Sequence, residues 1–361
     1  MDTEKDRYWG RQNGVDAVRG LLVLAMLCVN APGDPHAVFV QMQHASWKGY
    51  TATDIVFPGF LFVSGISIAL SVASRLSHGA TTTTVLRRQL ARASLLAGAG
   101  LVLNAVTMWM FHLESFRYMG VLQRIALCSL LTGATFAWLG VRGMWGLAVV
   151  ALTTYSAILF LDDIYAPYVN FPDRVDTAIL GTHAAWLDST TGLRRDPEGL
   201  MSTLGAIATT ALGAAAAPMV RHHRTSKLFL FGLACVFAGY WMSLEIPLIK
   251  RIWTPSFALV STGLAALLTC LGGPLGCVAS LRVLGRNALL AYMASTITFE
   301  TAFVTGLWTH IHLYFAAATE TIATPKAVSA LQSLCYAIVW IVIFRLFEVA
   351  NERENHLPLH H

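Results

Sequence analysis

Stretches of roughly 20 mainly apolar residues, each long enough to cross a bilayer, recur along almost the whole chain between short charged or Pro-containing breaks. Inside a bilayer every backbone N–H and C=O must find its partner within the protein, so such runs have to be helices. The runs are 15–31, 53–73, 91–110, 119–140, 144–161, 201–220, 228–242, 253–272, 287–307 and 328–347. Composition agrees: 55% of the 361 residues are hydrophobic, only 12% are charged, and mean hydropathy is +0.58, which is too apolar for a soluble domain of this size. The expected fold is all-α, a polytopic transmembrane helical bundle of about ten spans. It forms one domain over 15–350, between tails at 1–14 and 351–361.

The first run is no cleavable signal peptide, because Asp16 and Arg19 sit at its start and no small-residue cleavage pattern follows. Basic residues set the orientation. The N-terminal tail, the loops after even-numbered spans and the C-terminus together hold 16 of the 25 Lys and Arg, so both termini are expected in the cytoplasm. The net charge of +5 is spread over these loops and calls for no nucleic-acid partner. Cys28, Cys128, Cys235, Cys270, Cys277 and Cys335 show no paired spacing and read as small apolar packers, and no metal site is expected. His360 and His361 carry no assigned role. Short loops and cytoplasmic termini suggest a multi-pass protein of the bacterial inner membrane, in contact with lipid.

Three outside segments, 33–52, 162–200 and 308–327, are longer than a turn needs, and loops of that length usually carry function. The inside loops are short apart from the Thr-rich "HGATTTTVLRRQ". On the outer side Asn30 closes the first span, His44 lies in the loop after it and Asp54 begins the next span. Histidine moves protons near neutral pH, a carboxylate fixes its tautomer, and an amide offers donors to an oxyanion. As bare residue types the three are weak evidence and fit other roles: a loop histidine at the headgroups, a first-turn acid, a helix C-cap. Trp47 and Trp253 also fit an interfacial aromatic belt, and Lys250 and Arg251 an anchor at the outer interface.

The runs "VDAVRGLLVLAMLCVNAPG" and "HASWKGYTATDIVFPGFLFVSGISIALS" resemble the heparan-α-glucosaminide N-acetyltransferase family of membrane acyltransferases. "RYMGVLQRIAL", "RRDPEGLMSTLGAIATTALG", "KRIWTPSFALVSTGLAAL" and "LGRNALLAYM" continue the likeness in the same order, so that it covers about residues 11 to 350. The resemblance places the family's catalytic histidine on His44 and a functional asparagine on Asn30, although about three extra residues lie between them here. It implies an acetyl-CoA donor, an amino-sugar acceptor such as glucosamine on the outer side, and a homodimer. The lumenal domain that precedes the membrane part of the animal enzyme is expected to be dispensable.

In that reading His44 is the base or a covalent acetyl carrier, Asp54 orients its ring, and Asn30 stabilises the oxyanion. Gln123 and Arg124, inside the fourth span, contact CoA, or Arg124 forms an ion pair with Glu114, Asp196 or Glu198. Arg19 neutralises a CoA phosphate or pairs with Asp16. Trp47, Asp196, Glu198 and Asn287 are the candidate acceptor contacts; Asp196 and Glu198 also suit a helix start, and Asn287 an interhelical bond. A secondary transporter with midplane polar residues is the alternative, though neither the repeated halves nor the interrupted helices that transporters use stand out in the sequence.

Overall fold

A computed structural model describes residues 12–187, 192–319 and 323–356, with backbone alone for 351–356. The helices are α1 Asn13–Asn30, α2 Val56–Ser77, α3 Thr82–Met110, α4 Val121–Asp162, α5 Phe171–Leu180, α6 Thr203–Arg221, α7 Thr225–Met242, α8 Pro255–Thr269, α9 Gly272–Leu275, α10 Ala279–Arg286, α11 Ala288–Val304, α12 Leu307–Thr319 and α13 Pro325–His356. A two-strand hairpin, β1 Trp186–Leu187 with β2 Arg194–Arg195, lies between α5 and α6.

Among the described residues seven helices are long and apolar enough to cross a membrane, or eight if the bent pair α11 and α12 counts as one span. Each expected run has a helix, but three depart from a simple span. α4 holds 42 residues, about 63 Å of helix and twice a bilayer core, and is interrupted at Gly140, whose φ of 59° and ψ of −150° suit a residue without Cβ. α8 has only 15 residues, and α11 and α12 meet at 82°. Two stretches expected to be loops are partly helical. α12 occupies most of 308–327, and the Thr-rich segment forms the first turns of α3, where the Thr81 hydroxyl accepts the Thr84 N–H at 3.2 Å.

The chain divides into two compact units, one formed by His44–Cys270 and the other by Asn13–Gln43 with the residues from Leu271 on. In the first, α6 ("TLGAIATTALGAAAAPMVR") is buried along most of its length among α2, α4 and α8. Its small residues allow backbone contact: a Cβ added to Gly213 would lie 2.1 Å from the Phe62 carbonyl oxygen, and one on Gly65 of α2 would lie 2.0 Å from that of Thr210. In the second unit α1 crosses α10 in the same way, Gly20 against Leu281 and Gly285 against Asp16. Asp16, Arg19, Arg286, Arg345 and Glu348 form an ion-pair network there.

Candidate active site

The connections 44–55, 111–120, 163–187 with 192–202, and 243–254 of the first unit meet at one end of its bundle. The Gly49 N–H donates to the Leu248 carbonyl at 2.9 Å, and Lys48 and Ile249 form an antiparallel bridge. That pairing joins segments about 200 residues apart in sequence and carries Lys250 to His44. The turn after it is held by Thr254, whose hydroxyl accepts the Ile249 N–H at 3.1 Å, and by the Trp253 N–H on the Lys250 carbonyl at 2.9 Å.

His44 Nδ1 lies 2.9 Å from Asp54 Oδ1. The Asp54 side chain is fully buried while that of His44 is 44% exposed, so the pair offers one open ring edge backed by a sheltered carboxylate. Asp54 Oδ2 accepts from Thr51 N–H at 3.0 Å, the Thr51 hydroxyl at 3.0 Å and Ala45 N–H at 3.3 Å. Thr51 and Asp54 thereby form the capping box of the 3₁₀ turn Ala52–Ile55 that leads into α2. A carboxylate only accepts, so Asp54 holds the ring proton on Nδ1 and leaves a lone pair on Nε2.

Lys250 completes the group. Its Nζ is 3.3 Å from Asp54 Oδ1, 2.8 Å from His44 Nδ1 and 3.2 Å from Nε2; with Nδ1–H turned to Asp54, only the Nε2 contact can be a hydrogen bond from the ammonium. Burial brings the Lys250 amine down to about 8, against the opposing pull of Asp54. The expectation that Lys250 anchors the interface is corrected by this placement. Its usable signal was a pair of cations, Lys250 and Arg251, on the face where basic residues are sparse.

Asp196 and Glu198, expected to meet acceptor hydroxyls, are both engaged by Arg117. Its Nε donates to Asp196 Oδ2 at 2.8 Å and its Nη2 to Asp196 Oδ1 at 2.5 Å, and Glu198 bonds the same Nη2. The ion pair foreseen for Arg124 therefore belongs to Arg117, while Glu114 is exposed. Arg124 is fully buried over the Trp253 ring, 5.0 Å from its centroid, and donates to the Ser202 hydroxyl and the Gly199 carbonyl. Its Nε and Nη1, and Gln123 Nε2, have no hydrogen-bond partner among the described residues. Asp176 of α5 accepts the Leu200 N–H at 2.8 Å. Burial first, then Asp196 and Asp173, push its carboxyl up to about 7.

Trp47 packs against Tyr155, Leu159, Ile246, Ile249 and Ile252 and donates its indole N–H to the Tyr165 carbonyl at 2.6 Å. The Arg195 guanidinium lies over Trp47, Tyr168 and Trp186, and that of Arg251 also lies over Trp186. Nothing in the sequence singles out Arg195, and Arg251 reads there as an interface anchor.

Three candidates lie in the second unit. Asn30 is the exposed last residue of α1. Arg19 pairs with Asp16 at 3.0 Å and donates to the Gly285 carbonyl at 3.3 Å. Asn287 stands at the junction of α10 and α11 and bonds the Val283 carbonyl of its own chain at 2.9 Å, so the interhelical bond expected of it is replaced by a local one.

Residues 11–188 match the family described as heparan-alpha-glucosaminide N-acetyltransferase, catalytic, a span that holds His44, Asp54 and Arg124. Residues 11–188 are thus similar to this family's catalytic part. Among curated proteins, human heparan-alpha-glucosaminide N-acetyltransferase is 36% identical over 117 residues, 32% of this chain and 17% of the human one. The mouse protein of the same name is 36% identical over 113 residues, 31% of this chain and 17% of its own. The matched region thus spans under a fifth of the length of these relatives.

Proposed function

We propose that the chain is a transmembrane N-acetyltransferase that moves an acetyl group from acetyl-CoA to the amino group of glucosamine or a related amino sugar, with His44 as general base. The observation that carries the reading is the half-exposed His44 ring held at Nδ1 by the buried, fully engaged Asp54. The amino-sugar acceptor follows the name borne by the human and mouse relatives.

In this reading the neutral acceptor amine attacks the thioester carbonyl while His44 Nε2 takes its proton. The C–N bond forms, the C–S bond breaks, and the proton passes from His44 to the departing thiolate. Asp54 stabilises the imidazolium in between. Arg124 and Gln123 bind polar groups of the pantetheine arm. Their buried donors without partners support that role, since a guanidinium inside a span is costly unless a ligand or cavity meets it. The crossings are α1, α2, α3, both parts of α4, α6, α7, α8, the α11 and α12 pair and α13, about ten in all, with cytoplasmic termini and the His44 loop on the outer face of a bacterial inner membrane.

Detergent-solubilised protein supplied with acetyl-CoA and glucosamine tests the proposal. Free thiol and N-acetylglucosamine appearing in equal amounts is the expected result. A protein that binds CoA yet forms no acetylated sugar contradicts the acceptor, and one that neither binds nor cleaves acetyl-CoA contradicts the class.

A further inference from the structure

Lys250 brings an amine of the chain itself to the His44 ring. Its Nζ lies over the His44 ring, 2.8 Å from Nδ1 and 3.2 Å from Nε2, so a rotation of the lysine side chain carries it to the Nε2 lone pair left open by the Asp54 bond, and hydrogen-bond reach to the base is the geometric requirement for a nucleophile in this chemistry. Its main chain is fixed by the Trp253 N–H on the Lys250 carbonyl and by the neighbouring Lys48 and Ile249 bridge, so the amine is held at the base. Four groups bear on it: Asp54 at 3.3 Å, the His44 ring, Glu198, and Arg251 with like charge. Glu198 is committed to Arg117 and Asp54 is shared with His44, so the ammonium has no carboxylate of its own.

We propose that Lys250 Nζ is a self-acetylation site: with donor bound and no sugar present, its amine takes the acetyl group and the site silences itself. The Nζ lone pair attacks the thioester carbonyl, the C–N bond forms and the C–S bond breaks, and the amine proton passes through His44 Nε2 to the CoA thiolate. Because its amine is lowered to about 8, a fraction on the order of one tenth of Lys250 is uncharged and nucleophilic at neutral pH. The resulting amide is uncharged, cannot pair with Asp54, and fills the place beside Nε2 that the sugar amine needs. The inference rests on the acetyltransferase reading, and it adds a switch that responds to acceptor supply.

The test incubates wild-type protein with acetyl-CoA alone and maps acetyl groups by peptide mass spectrometry, with His44→Ala and heat-unfolded wild type as controls. Aliquots are assayed in parallel for glucosamine acetylation. One acetyl group at Lys250 in folded wild type, several-fold less in both controls and less when excess glucosamine is present, is the expected result, with activity falling as the mark accumulates. Glucosamine turnover without the mark overturns self-acetylation and leaves the enzyme reading standing. The mark without glucosamine turnover keeps the inference and removes glucosamine as acceptor. An equal mark in His44→Ala or in unfolded protein shows surface chemistry only and overturns the inference, as does its absence together with the absence of turnover.

Discussion

Replacing Asp54 by asparagine separates its capping role from its effect on His44. Of the contacts on the carboxylate, Thr51 N–H, the Thr51 hydroxyl and Ala45 N–H all donate to Oδ2, while His44 and Lys250 face Oδ1. In Asp54→Asn the amide oxygen must take the Oδ2 position, because an NH₂ group there would meet three donors. The NH₂ then faces His44 and can only donate, so Nδ1 becomes an acceptor and the ring proton moves to Nε2, the atom that has to act as base. The helix start survives and the base is lost. Loss of a general base, with the wrong tautomer left behind, costs about 10²- to 10⁴-fold in kcat. The assay is the initial rate of glucosamine acetylation at saturating acetyl-CoA, beside thermal unfolding in detergent. A variant that melts close to wild type and loses at least about 10²-fold in kcat supports the argument. One that folds and keeps kcat within about threefold of wild type refutes the assignment of Asp54 to the ring.

Further expectations follow from packing and charge. Because the Asp176 carboxyl is raised from 3.8 to about 7, the native state holds more protons than the unfolded state in that window, so its contribution to stability is present at low pH and is lost as pH rises. Asp176→Asn should therefore melt higher than wild type at pH 8, with the gain vanishing near pH 4; equal melting temperatures at both pH values would contradict the shift. Gly65→Ala pushes a Cβ against the Thr210 carbonyl and should cost about 1–3 kcal/mol, whereas Gly98→Ala, with nothing within 4 Å, should be neutral or slightly stabilising, as denaturant titration would report. Arg117→Met leaves Asp196 and Glu198 without their cation and should destabilise by about 3 kcal/mol, and Asp196→Asn with Glu198→Gln in the same chain should recover part of that loss. An unchanged melting temperature in Arg117→Met would refute the description of this cluster.

The candidate site was legible where it is local. His44, Trp47, Asp54 and the start of α2 sit within a dozen residues, and an apolar run announces a helix whatever it packs against. Lys250 was out of reach because a backbone pairing between Gly49 and Leu248 brings it in, and neither residue type signals that pairing. For Asp196 and Glu198 the sequence offers acceptor contacts, a helix start or an ion pair with Arg124; Arg117 takes both acids once the loop is folded, and Arg124 is held at Gly199 and Ser202 instead. Gly306 breaks an apolar stretch that reads as a span followed by a loop, and the chain turns through 82° into a second helix there. Hydropathy measures how apolar a run is and carries no direction, so a bend of that kind leaves no trace in it.

The central claim is that acetyl transfer takes place at His44. The most direct measurement is glucosamine acetylation by His44→Ala, with CoA binding and thermal unfolding recorded on the same preparation. The account predicts a variant that folds, binds CoA as wild type does, and loses acetyl transfer by at least about 10²-fold. A folded His44→Ala protein that acetylates glucosamine at the wild-type rate would contradict it.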